Sequence, residues 1–358
     1  MRWGWLIVGW LALGGCAESV EQPPPARTCE VGETPPLRFP AIPGPEVPGL
    51  SSHGCRAYVG RDGTLFVAGM HYVADGTPGS RERTSLSRLV DRRWEPVAPP
   101  IDGPVSVPVG IASTHRALYV LLLGGAMFRV ADETWTELAA PGEGVELMAL
   151  EDGPRGWPVA VGRRDETAQL YELNGGRWEP LGEPLPDVPP PTSRPLGVAC
   201  DGRVVVLGGL SAFELRADGT WRHLGVFGSD EVDHPGIAVG PDAVYVAWSR
   251  GLDLQEILVA RHRDADAGFV LVDSPLPTRR ARWVVPWVSN RGEVFIAWRE
   301  DHISTARLEG DVWAISPVGA VSGGGTLPHL TGGSDGLPVV CWEAYSESGL
   351  FEVSRAVP

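Results

Sequence analysis

Five side chains that could grip or polarise a ligand stand near the starts of short apolar stretches: His53, Arg194, His234, Arg282 and His329. A guanidinium binds a carboxylate with two parallel hydrogen bonds, and an imidazole both donates and accepts. Trp283 and Trp287 crowd the same stretch as Arg279, Arg280 and Arg282, adding ring faces on which sugars or cations stack. Gathered at one place, these groups would suit an anionic or sugar ligand; left apart, they are solvated loop residues. Asp264-Ala265-Asp266-Ala267-Gly268 sets two carboxylates in a glycine-ended loop. A calcium ion needs several oxygens converging at once, so the segment reads as a hairpin turn rather than a metal site. No Walker loop, His-Glu-x-x-His, paired Cys-x-x-Cys or Gly-x-Ser-x-Gly elbow is present. The sequence therefore calls for neither a metal nor a cofactor.

Whatever positions those residues is repetitive. Trp94, Trp135, Trp178, Trp221, Phe269 and Trp313 follow one another at intervals of roughly 41 to 48 residues, the spacing of units that cannot bury their faces alone and must stack on their neighbours. Each unit holds a continuous apolar run: Leu65–Ala68, Leu118–Leu121, Pro158–Val161, Val204–Leu207, Val244–Ala247, Val294–Ala297 and Pro338–Cys341. Runs without alternation suit strands covered on both faces. Asn174-Gly175-Gly176, Asp218-Gly219 and Glu309-Gly310-Asp311 mark tight turns just before a tryptophan. The expectation is an all-β, seven-bladed propeller with four antiparallel strands per blade, the tryptophans filling the gaps between blades at the rim. The seventh copy ends after its third strand, Leu350–Val353, so part of the segment Leu37–Val47 is expected to add its outer strand and close the ring.

Outside the repeats, the chain divides into residues 1–15, a spacer over 16–50 and the propeller over 51–358. Residues 16–50 are rich in Pro, Gly and Glu and have no apolar periodicity. The composition is 43% hydrophobic and 21% charged, with 46 Gly and 34 Pro, and every basic residue is arginine. The formal charge of −15 repels phosphate backbones and anionic headgroups, which argues against a nucleic-acid partner. Of the five cysteines, Cys29 and Cys55 are the expected disulfide, tying the N-terminal segment to the first blade, whereas Cys200 and Cys341, in apolar strands, are expected to be free thiols.

Two resemblances follow. Arg2, the apolar run Trp3–Leu13 and the ending Leu13-Gly14-Gly15-Cys16 resemble a bacterial lipoprotein signal peptide. That resemblance implies cleavage before Cys16, lipid on Cys16 and attachment to the cell envelope. Ala17, in place of aspartate, implies the outer membrane. Leu121–Gly125 with Phe128 and Trp135, and Val205–Gly209 with Phe213 and Trp221, resemble kelch repeats. Val244–Trp248, Val294–Trp298 and Ala217–Trp221 are similar to sialidase-type propeller strands and their aspartate box, without the leading serine.

The functional expectation is a lipid-anchored binding or scaffold propeller with a protein or glycan partner. A carbohydrate-active hydrolase or lyase working in the axial channel is the alternative. Against the latter, no Phe/Tyr-Arg-Ile-Pro motif is present, no arginine triad with a Tyr–Glu pair can be assembled, and the two Tyr and two His of a copper oxidase have no matching positions.

Overall fold

A computed structural model describes residues 38, 40–43, 45, 50–73, 81–103, 107–189, 194–229, 232–250, 256–272, 281–300, 302–310, 312–320, 328–333, 335–343 and 351–357. They form seven four-stranded antiparallel sheets. Blades one to six each use four consecutive strands, the first beginning with Leu50–Val59 and the sixth ending with Val312–Ala320. First strands touch first strands of neighbouring blades all the way round, so they enclose the axis. All seven apolar runs are the second strands of their blades.

The seventh blade is closed as expected. Ala41–Pro43 pairs antiparallel with Phe351–Arg355, outside Pro338–Glu343 and His329–Gly332. Arg38 and Val357 extend the pairing through two backbone hydrogen bonds of 2.8 Å, so the N-terminal strand covers the edge that Phe351–Arg355 would otherwise expose.

The core is divided into seven clusters, one in each gap between blades. Alternate residues of a second strand serve different gaps: Leu118, Val120 and Leu122 pack towards blade one, while Tyr119 and Leu121 pack towards blade three. This is why the second strands lack polar alternation. The tryptophans pack as expected. Trp135, Trp178 and Trp221 each sit against the cluster of the preceding gap. Their indole Nε1–H groups donate to Pro99 O at 2.9 Å, Ala139 O at 3.0 Å and Glu183 O at 2.9 Å, tying each outer strand to the blade before it.

The cysteines correct the reading of the sequence. Cys55 is bonded to Cys341, with Cα atoms 6.3 Å apart, rather than to Cys29. Blade seven is the ring neighbour of blade one, so two residues separated by 286 positions meet in the closing gap. Cys200 is disulfide-bonded as well, and neither Cys200 nor Cys341 is the free thiol expected. Cys29 and Cys16 lie outside the described residues.

Candidate functional site

The seven first strands enclose an axial cavity of about 540 Å³ to which every blade contributes. At one end the strands are joined by tight turns such as Gly60–Thr64, Ala199–Arg203, Gly240–Ala243 and Ser289–Glu293. At the other lie the starts of the first strands. Arg56, Arg194, His234 and His329 lie towards the latter end, whereas Glu151 stands two residues before the turn Gly153–Trp157 and Arg61 lies within the turn Gly60–Thr64.

A repeated bulge gives this mouth its shape. Pairing slips between His53 and Cys55, between Asp233 and Gly236, and between Arg282 and Val285. Gly54, His234 and Trp283 occupy the equivalent bulge position and all have positive φ, at 59°, 49° and 54°. For His234 and Trp283 this backbone is unusual and is held by the surrounding structure. Trp283 Nε1–H donates to His234 Nε2 at 3.0 Å with the rings edge-on, and the Arg299 guanidinium covers the indole face at 5.2 Å. His234 Nδ1 lies 2.6 Å from the Asp233 carboxylate.

Arg194 is a strut across the channel. Its backbone is fixed to blade five, donating to Pro235 O and accepting from Ile237 N–H. From there Nη1 donates to Leu330 O on blade seven at 3.1 Å, and Nη2 donates to Glu151 Oε1 on blade three at 2.8 Å. His329 accepts a hydrogen bond at Nδ1 from the Ala57 N–H at 3.2 Å. Burial, together with the positive charges of Arg56 and Arg194, holds this ring well below the usual histidine range and therefore neutral. Its proton consequently sits on Nε2.

Arg56 adds a further positive charge. It lies in the first strand of blade one, directly before the His329 contact at Ala57, and lines the cavity. Burial first, then the neighbouring charge of Arg194, lowers its pKa to about 10, with Glu151 opposing them. It remains charged at neutral pH, and its buried Nε has no hydrogen-bond partner.

Of the five residues singled out from the sequence, Arg194, His234 and His329 line one cavity. His53 and Arg282 occupy the strand position equivalent to Asp233, one residue before the bulge, and their side chains lie outside the described residues, as do Arg279 and Arg280. Trp287 lines the cavity. Arg56 and Glu151 escaped the sequence reading, although each directly follows or precedes apolar residues, Cys55-Arg56-Ala57 and Ala149-Leu150-Glu151. In the Asp264–Gly268 segment, Asp264 accepts from Arg222 at 2.7 Å and Asp266 caps its own turn at the Arg263 N–H, the arrangement of a hairpin turn.

No protein-family model matches the sequence, and no curated protein resembles it in sequence. Solved structures do share its architecture. Virginiamycin B lyase from Staphylococcus aureus superposes with a TM-score of 0.61 at 12% identity over 90% of this chain and 100% of that one. A catalytically inactive form of that lyase, solved with quinupristin, gives 0.60 at 12% identity with the same coverage. YCF48 bound to D1 peptide gives 0.56 at 12% identity over 92% of this chain and 98% of that one. Likeness at this level of identity shows the propeller fold alone.

Proposed function

We propose that the protein is a lipid-anchored propeller of the bacterial cell envelope that holds a ligand or partner at the charged mouth of its axial cavity without transforming it. The observation that carries this reading is the convergence of Arg56, Glu151, Arg194, His234 and His329 on one cavity lined by all seven blades. A cavity of about 540 Å³ falls within the range of pre-formed small-ligand sites.

Binding is favoured over hydrolysis or lyase chemistry by how the titratable groups are committed. Glu151 is engaged in an ion pair with Arg194 at 2.8 Å. His329 Nδ1 is occupied by the Ala57 amide. The Nε2 lone pair of His234 accepts from the Trp283 N–H, and its Nδ1 lies beside the Asp233 carboxylate. A general base needs a free lone pair within reach of the proton it removes. The anchor rests on Leu13-Gly14-Gly15-Cys16, and the outer membrane on Ala17.

Two experiments test this reading in cells. A Cys16→Ser variant should move the protein from the membrane fraction to the soluble one; retention in the membrane would refute the lipid anchor. A photo-crosslinking residue at Leu123, which lines the cavity and is 53% exposed, should capture a partner or ligand. The same residue at Val226, 57% exposed on the outer rim of blade four, should not. Equal capture from both would remove the mouth as the site.

A further inference from the structure

The charge balance inside the cavity narrows the ligand. This step rests on the cavity being the binding site, and it concerns what enters. At the mouth two guanidinium groups, Arg56 and Arg194, face one carboxylate, Glu151, which is engaged by Arg194; a third lining arginine, Arg61, stands in the turn Gly60–Thr64 at the opposite end and has a partner of its own. The remaining titratable group of that cluster, His329, adds no charge, because its Nδ1 is tied to the Ala57 amide and its ring is neutral. One positive charge, on Arg56, is therefore left over in this cluster, in a chain whose formal charge is −15. A buried cation without a counter-ion is costly, and a ligand supplying one negative charge would remove that cost.

Beyond the charged mouth the wall becomes apolar. Val109, Met148, Val198, Trp287 and Val288, each partly exposed, line the cavity from blades two, three, four and six. The Trp287 ring reaches the next blade, where a Cβ on Gly332 would collide with it. A polyanion would overcompensate the single surplus charge of this cluster, and a free sugar would leave its hydroxyls against valine and methionine. We infer that the axial cavity binds a monocarboxylate carried on an apolar body, the carboxylate held by Arg56 with Arg194 and the Nε2–H of His329 beside it, and the body lying along the axis. The carboxylate of a small free acid and the C-terminal carboxylate of a partner chain present the same chemistry.

Titration calorimetry on the full chain in detergent tests the assignment with four probes. Phenylacetate and the dipeptide N-acetyl-Val-Phe should bind at least tenfold more tightly than their neutral amides, phenylacetamide and N-acetyl-Val-Phe amide. The tighter of the two acids identifies the source as a free acid or as a chain terminus. Inorganic phosphate should bind at least tenfold more weakly than the better acid. In an Arg56→Met variant, the preference for acid over amide should vanish while the melting temperature holds or rises, because an uncompensated buried cation has been replaced by an apolar side chain of similar length. Acid and amide binding equally, phosphate matching the better acid, or Arg56→Met binding acids as the wild type does would each overturn the inference. Such a result, obtained while Leu123 still captures a partner in cells, would leave the binding reading standing and remove only its ligand class.

Discussion

At the residue scale the distribution of protons is the informative quantity. His71 is fully buried and hydrogen-bonded through Nε2 to Ser85 Oγ at 2.5 Å, and burial lowers its pKa to about 4. The unfolded chain takes up a proton near pH 6.5 that the folded chain refuses until about pH 4. Stability is therefore full above pH 6.5 and falls as the pH is lowered towards 4, by about 3 kcal/mol for a shift of this size. His329 acts in the same direction. Urea unfolding at pH 7.5 and 4.5 should show that loss, and a His71→Phe variant should show a smaller one; equal acid sensitivity in the two proteins would assign it elsewhere. These two histidines were visible in the sequence, but their burial was not, because neighbouring residues on one strand go to different surroundings. His329 lines the cavity while Leu330 is buried in the gap between blades six and seven. The same limitation hid Arg56. Its charge was legible, and its place opposite Ala68, level with His329 opposite Cys341, emerged only from the pairing register.

At the element scale, the repeats were legible because each blade solves the same packing problem with the same residue types. Second strands covered on both faces require apolar runs, and widening gaps require large outer side chains, so both signals recur at a fixed spacing. Trp178→Ala should cost about 2–4 kcal/mol, since it empties part of the gap between blades two and three and deletes the bond to Ala139 O. Urea midpoints measure this, and a cost below about 1 kcal/mol would show that the ring contributes little there. The tight turns differ among blades. Asp132 and Glu133 hold φ at 48° and 59°, where blade three has glycines. Glu133→Gly should therefore stabilise blade two by roughly 0.5–1 kcal/mol, read as a small rise in melting temperature, whereas a fall would show that the turn is not strained. Less legible were the bulges at the strand starts. One extra residue in a first strand is invisible to apolar spacing, and the five proposed ligand residues fall at four different register positions.

At the scale of the whole molecule, the ring has to be closed where its first and last blades meet. Two devices do this: the strand Ala41–Pro43 on the last blade and the Cys55–Cys341 disulfide across the final gap. The first was readable from an incomplete seventh repeat. The second was not, because circular neighbourhood is not a distance along the chain. The double variant Cys55→Ser with Cys341→Ser should lower stability by about 2–5 kcal/mol while leaving the sheet signal of the circular dichroism spectrum unchanged. No loss in the urea midpoint would mean that the strand alone secures the ring. Closure also fixes the site, because Arg56 and His329 stand on the first and last blades and the Ala57 to His329 hydrogen bond crosses that same gap. The most direct test of a ligand site built on this closure is a crystal of the protein soaked in 4-bromophenylacetate and measured at the bromine absorption edge. The account predicts an anomalous peak inside the axial cavity, with the carboxylate within hydrogen-bonding distance of the Arg56 guanidinium. A cavity without bromine, with peaks confined to the outer surface, would contradict it.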